Sequence, residues 1–291
     1  MQLETKPLPR HAHTIELHRF PADENRPDVI ALHGLMQTLH SWRHLRPKLA
    51  GRGKRLCAFD LKGHGGSPCP ADGKYSLEDH AAPILAFICD NDLHGLTLVG
   101  HSFGGSVALL VAARLMEEGK RRLAALVLVN SFFDPSALRI RLLRGLALSA
   151  GPVAAPLLQW EPLARLAVRI GGWTLCRRHD HVDDAIVTSY AANLRQRDRV
   201  DALIETGRQI TTADYVGLQQ KLPTIDVPTL TVWGRQERLL PFASCADLHR
   251  KFPNAQLFPV ENCGHIPHEE QCEIVTEKIA AFVATHTARR A

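Results

Sequence analysis

Short, wholly apolar runs alternate with helix-forming stretches at both ends of this chain. Asp28-Val29-Ile30-Ala31-Leu32, Lys54 to Phe59, Leu96 to Val99 and Leu123 to Val129 read as strands, and Thr14 to Phe20 alternates as a half-exposed edge strand would. Residues 1–13 read as a loose arm. Between the strands, Ser76-Leu77-Glu78-Asp79 forms a capping box for a helix running to about Asn91, and Gly105 to Leu115 is rich in helix formers. Strands apolar at every position are buried on both faces, so the pattern predicts an α/β fold with a mostly parallel sheet flanked by helices.

The pattern changes after residue 130. From Ser131 to about Asp226 no strand signal appears, and the stretch is helical in composition with proline and glycine punctuation. Sheet logic resumes at Val227 to Gly234, followed by a helix over Phe242 to Phe252, a strand over Ala255 to Val260 and a helix over His268 to Thr285. We therefore expect a core made of residues 1–130 and 227–291, with residues 131–226 inserted as a helical cap.

Composition narrows the class. The chain has 291 residues, 45% of them apolar, and a formal net charge of +5. That charge gives no case for nucleic acid. No N-terminal apolar region marks a secretory signal, and no apolar run is long enough for a membrane span. Seven scattered cysteines without C-x-x-C spacing fit reduced thiols, and the expected location is cytoplasmic.

The candidate chemistry centres on Gly100-His101-Ser102-Phe103-Gly104. A G-x-S-x-G sequence between a strand and a helix is the context of a nucleophile elbow, which exposes its serine on a sharp turn. A serine needs a base, and the base an orienting carboxylate, in the chain order serine, acid, histidine. His265 follows the last strand, and Glu237 follows the strand ending at Gly234. Asp134, just past the strand that ends near Asn130, is the competing acid. The backbone N–H groups of Phe103 and Leu35 are the expected oxyanion donors.

These pieces resemble the α/β-hydrolase fold family. His33-Gly34 with Ser41-Trp42, Asp60 to Ser67, Gly100 to Gly105, Trp233-Gly234 to Pro241 and Cys263-Gly264-His265 stand in the family's order and spacing. The resemblance implies Ser102 as nucleophile, His265 as general base and acid, and Leu35 with Phe103 as oxyanion hole. The family usually places aspartate where this chain has Glu237, so the loop must absorb an extra methylene.

Other residues carry blander expectations. His33 and His64 shape turns, His101 packs beside the elbow, Cys263 is a small buried thiol, and His268 starts the final helix. His179-Asp180-His181 with Asp183 and Asp184 reads as a solvated loop and helix start, so no metal is expected, and no cofactor. Between Pro135 and Arg178 seven arginines face one acidic residue, Glu161. They are expected to face water, with an acidic carrier protein or an anionic membrane surface as alternatives. The expected activity is hydrolysis of a largely hydrophobic small-molecule carboxylic ester through an acyl-enzyme. The alternatives are C–C bond hydrolysis of a β-diketone-like substrate and ligand reception on a hydrolase scaffold.

Overall fold

The computed structural model describes residues 4–7, 14–17, 26–118, 122–133, 145, 149, 153–180, 182–210, 212–252 and 255–287. Strands β1 (Glu4–Pro7), β2 (Thr14–Leu17), β3 (Val29–Leu32), β4 (Leu56–Phe59), β5 (Leu96–His101), β6 (Leu123–Val129), β7 (Thr229–Gly234) and β8 (Ala255–Val260) form one sheet. Its order is β1-β2-β4-β3-β5-β6-β7-β8. The six strands from β4 to β8 in that order run parallel, and β1 and β2 add antiparallel at the β4 edge.

The edge corrects one expectation. Residues 4–7 of the supposed loose arm pair with β2, Glu4 opposite Leu17 and Pro7 opposite Thr14. Such a pairing asks only for backbone N–H and C=O groups, so a polar, proline-ended segment at a sheet edge satisfies it without an apolar signature.

Helices α1 (Leu45–Ala50), α2 (Leu77–Asp90) and α3 (Phe103–Glu117) connect the first strands. Between β6 and β7 lie α4 (Glu161–Leu175), α5 (Asp184–Leu194), α6 (Arg197–Gln209) and α7 (Thr212–Lys221). The chain ends with α8 (Phe242–Arg250), α9 (Pro267–Glu270) and α10 (Cys272–His286). No described helix is long and apolar enough to cross a membrane. The expected single final helix is broken at Gln271, whose φ of −127° and ψ of 49° leave the helical region. Ser76 caps α2 by accepting from the Asp79 N–H, while the Asp79 carboxylate accepts from the Ser76 N–H.

Strand alternation sorts the apolar side chains into two cores. Ile30, Leu32, Leu96, Leu98, Leu126 and Leu128 face α2, α3 and α8. Val29, Ala31, Val99, Val127, Val129 and Val232 face α1 and α10. The strands look continuously apolar because both of their faces are covered. Helices α4 and α5 bury a separate cluster, with Ala164 and Val168 against Ile186, Val187, Tyr190 and Leu194.

Candidate active site

Three strand ends converge on Ser102. The residue sits between β5 and α3 with φ 50° and ψ −119°, a backbone conformation that side-chain-bearing residues rarely adopt. Its N–H donates to the Val129 carbonyl, and its own carbonyl accepts from Gly105 and Phe132, all at 3.0 Å. Glycine on both sides allows the fold-back. A Cβ on Gly100 would lie 2.5 Å from the Gly104 carbonyl oxygen, and one on Gly104 would lie 2.3 Å from the His33 carbonyl oxygen. The strained turn is held by close backbone packing that no side chain could enter.

His265 lies in the loop after β8, with Nε2 3.1 Å from Ser102 Oγ. Its Nδ1 is 2.6 Å from Glu237 Oε2, in the loop after β7. The carboxylate partner keeps the proton on Nδ1, so Nε2 is the acceptor for the serine hydroxyl. Glu237 and His265 are buried, whereas Ser102 is partly exposed. Desolvated partners strengthen the pair and leave the serine as the member a substrate can reach.

The extra methylene of Glu237 is accommodated by its surroundings. Oε1 accepts the Leu239 N–H at 2.6 Å, and Oε2 also accepts from the Asn130 side-chain amide. Asn130 donates further to the Gly264 carbonyl at 2.9 Å, and its Oδ1 accepts the Gly234 N–H at 3.0 Å. One amide therefore ties the ends of β6 and β7 to the His265 loop. Asp134 lies outside the described residues. The sequence marks Asn130 only as a polar residue that closes a seven-residue apolar strand.

Of the two expected oxyanion donors, one lies in the elbow itself and the other in the turn after β3 that packs on it. Phe103 opens α3, so its N–H is among those a helix start leaves without an intrahelical acceptor. Leu35 follows Gly34, where a Cβ would stand 3.1 Å from Ser102 Cβ. The turn is set by the Gln37 side chain, whose Oε1 accepts the Gly34 N–H at 2.8 Å.

The surrounding histidines hold loops. His33 Nδ1 donates to the Gly34 carbonyl at 2.7 Å, and its Nε2 accepts the Leu61 N–H at 3.0 Å. Burial lowers its pKa to about 4, and that of His64 to about 3. The ring nitrogens of His101 lie 2.8 Å from Gln37 Oε1 and 2.8 Å from the His265 carbonyl oxygen, bridging the two loops around the serine. His268 belongs to α9 and stacks on Trp42 at 4.4 Å. Cys263 is fully buried, and burial pushes its thiol far above the ordinary range.

The described arginines of the 131–226 segment are largely paired. Arg165 and Arg169 reach Asp184 at 2.8 and 2.7 Å, and Arg178 pairs with Asp180. Asp183 caps α5 by accepting the Ile186 N–H at 2.8 Å. No cluster of three or more potential metal ligands occurs among the described residues. Arg139, Arg141, Arg144 and His181 lie outside the described residues.

Comparison with known proteins agrees with this architecture. The profile of the alpha/beta hydrolase fold matches residues 27–271. The chain belongs to the alpha/beta hydrolase fold family and is a hydrolase of that family. It is 28% identical over 268 residues to the dihydrolipoyllysine-residue acetyltransferase component of the acetoin cleaving system of Pseudomonas putida. That match covers 90% of this chain, which spans only 65% of the relative's length. It is 28% identical over 242 residues to a 2-hydroxymuconate semialdehyde hydrolase of Pseudomonas putida, covering 79% of this chain and 77% of the relative. A thermophilic esterase from Thermogutta terrifontis superposes with a TM-score of 0.70 at 21% identity, over 99% of each chain. That likeness speaks for the fold.

Proposed function

We propose that this protein is a serine hydrolase that cleaves a carboxylic ester of a largely hydrophobic small molecule. The observation that carries the reading is the linked pair of contacts, Glu237 to His265 at 2.6 Å and His265 to Ser102 at 3.1 Å. Ser102 Oγ attacks the ester carbonyl while His265 Nε2 takes its proton. The Leu35 and Phe103 N–H groups bind the tetrahedral oxyanion, and Glu237 stabilises the imidazolium. His265 then protonates the departing alcohol. In the second half it takes a proton from water, which attacks the acyl-enzyme, and the acid is released as Ser102 regains its proton.

The apolar side chains of Leu35 and Leu239, next to the oxyanion turn and Glu237, support an apolar substrate. The internal pairing of Arg165, Arg169 and Arg178 favours a free small molecule over an acidic carrier.

A fluorophosphonate probe should label wild type and leave Ser102→Ala unlabelled. A chain-length series of p-nitrophenyl esters then sizes the acyl site. Probe labelling without turnover of any ester would point to the second reading, C–C hydrolysis of a β-diketone-like substrate. That reading draws on the relative named 2-hydroxymuconate semialdehyde hydrolase. Absence of labelling in folded wild type would favour a receptor on a hydrolase scaffold.

A further inference from the structure

One buried carboxylate, five residues beyond His265, gathers backbone from two distant parts of the chain. Glu270 Oε2 accepts the N–H groups of Gly264 at 2.9 Å, Arg177 at 2.8 Å and Arg178 at 3.1 Å. Its Oε1 accepts the Ile266 N–H at 3.1 Å. The donors are therefore the residues on either side of His265 and the two residues two and three positions past the end of α4. A carboxylate suits such a set because it offers only acceptor sites, whereas an amide would turn hydrogens toward some of the donors.

Two further contacts make the same junction. The His265 N–H donates to the Leu175 carbonyl, the last residue of α4, at 3.1 Å. A Cβ on Gly264 would lie 2.6 Å from that carbonyl oxygen and 2.8 Å from the Arg177 nitrogen. The His265 loop thus rests directly on backbone from the inserted segment. The Glu270 side chain clamps the two together from a site less than one-twentieth exposed.

We propose that Glu270 is a positioning residue that fixes the His265 ring against Ser102 and Glu237 by bracing its loop on the C-terminal end of α4. The proposal rests on the serine-hydrolase reading for its kinetic consequence only. The Glu270 carboxylate bonds to backbone N–H groups, and it acts through the backbone on both sides of the histidine. A displacement of α4 is transmitted through the same brace to the base, so the position of this helix and the alignment of His265 are coupled.

Glu269 supplies an internal comparison. It is equally buried, but its carboxylate bonds to Arg43 at 3.1 Å and to the Tyr190 hydroxyl at 2.8 Å, away from the His265 loop. Glu270→Gln, Glu270→Asp and Glu269→Gln should be compared with wild type in three measurements. These are the second-order fluorophosphonate labelling rate corrected for folded fraction, kcat and KM for a small p-nitrophenyl ester, and the low-field proton resonance of His265 Nδ1–H. Glu270→Gln is expected to label at least about tenfold more slowly, with kcat reduced and KM within about twofold, because small misplacements of a base carry large rate costs. Its low-field resonance should broaden or move. Glu270→Asp keeps the charge on a shorter stem and should fall between the two, which keeps the test open if the glutamine variant does not fold. Glu269→Gln should lose thermal stability yet label within about twofold of wild type. Wild-type labelling and an unmoved resonance in folded Glu270→Gln or Glu270→Asp would overturn the brace, as would an equal loss in Glu269→Gln. If wild type itself never labels, the hydrolase reading fails, and the resonance comparison still decides whether Glu270 positions the ring.

Discussion

Asn130 and Glu237 meet where β6 and β7 end, the side-chain amide of one donating to the carboxylate oxygen that also accepts from His265. Asn130 holds φ at 38°, a left-handed conformation that asparagine tolerates better than most residues. The amide and the strained backbone thus serve one end, presenting a second donor to the carboxylate that is hydrogen-bonded to His265.

Asn130→Gly isolates the amide, because glycine keeps the positive φ without strain. The variant loses all three side-chain hydrogen bonds of Asn130, and the one to the charged Glu237 acceptor alone corresponds to about 1.5–3 kcal/mol. We expect kcat for a p-nitrophenyl ester to fall roughly tenfold or more, with KM little changed. A variant with wild-type kcat would assign Asn130 to the turn alone.

Glu237→Gln should reduce kcat by about 10³–10⁴, since an amide favours the wrong imidazole tautomer. Glu237→Ala should cost roughly 10² or more. Asp134→Ala is expected to stay within about twofold. Steady-state kinetics on the three purified variants rank the two acids, and a larger loss at Asp134 than at Glu237 would reverse the assignment.

Much of this site was legible because its parts depend on local chemistry. The elbow glycines at 100 and 104 are demanded by backbone approaches of 2.5 and 2.3 Å, so they mark the turn in the sequence itself. Ser102, Glu237 and His265 stand at strand ends in a fixed chain order, which needs no knowledge of distances. Asn130 and Glu270 escaped notice because their value lies in partners 107 and 93 residues away, which no local pattern encodes. The arginine count between Pro135 and Arg178 left out its counter-charges for a related reason. It stopped short of Asp180 and Asp184, and these carboxylates pair with Arg178, Arg165 and Arg169. The β1 strand was hidden because edge pairing draws on backbone groups alone.

The buried pair His33 and His64 should make stability depend on mild acid. Their rings lie 5.2 Å apart, and burial lowers their pKa values from 6.5 to about 4 and about 3. Between pH 6.5 and about 4 the unfolded chain therefore binds more protons at these sites than the folded one, so stability rises with pH through that window. The contribution is fully present above pH 6.5 and is lost as pH falls toward 4. Urea unfolding midpoints from pH 4.5 to 7.5 should climb, and His33→Gln should flatten the climb by up to one proton's worth, about 1.4 kcal/mol per pH unit. An unchanged slope in that variant would remove His33 from the account.

Two glycine-to-alanine changes should move stability in opposite directions. At Gly104 the added Cβ would lie 2.3 Å from the His33 carbonyl oxygen and 2.4 Å from that of Leu32, both backbone atoms of the central sheet and its loop. Neither can retreat without disturbing β3, so Gly104→Ala should unfold the protein or lower its stability by roughly 3 kcal/mol or more, in the range of severe overpacking. Gly217 lies inside α7 with open space where its Cβ would be. There alanine gains helix propensity worth about 1 kcal/mol without a clash, so Gly217→Ala should raise the thermal midpoint by a few degrees. Differential scanning calorimetry of both variants checks the pair. A tolerated Gly104→Ala would mean that α3 can shift away from β3, and with it Ser102 from its place beside His265.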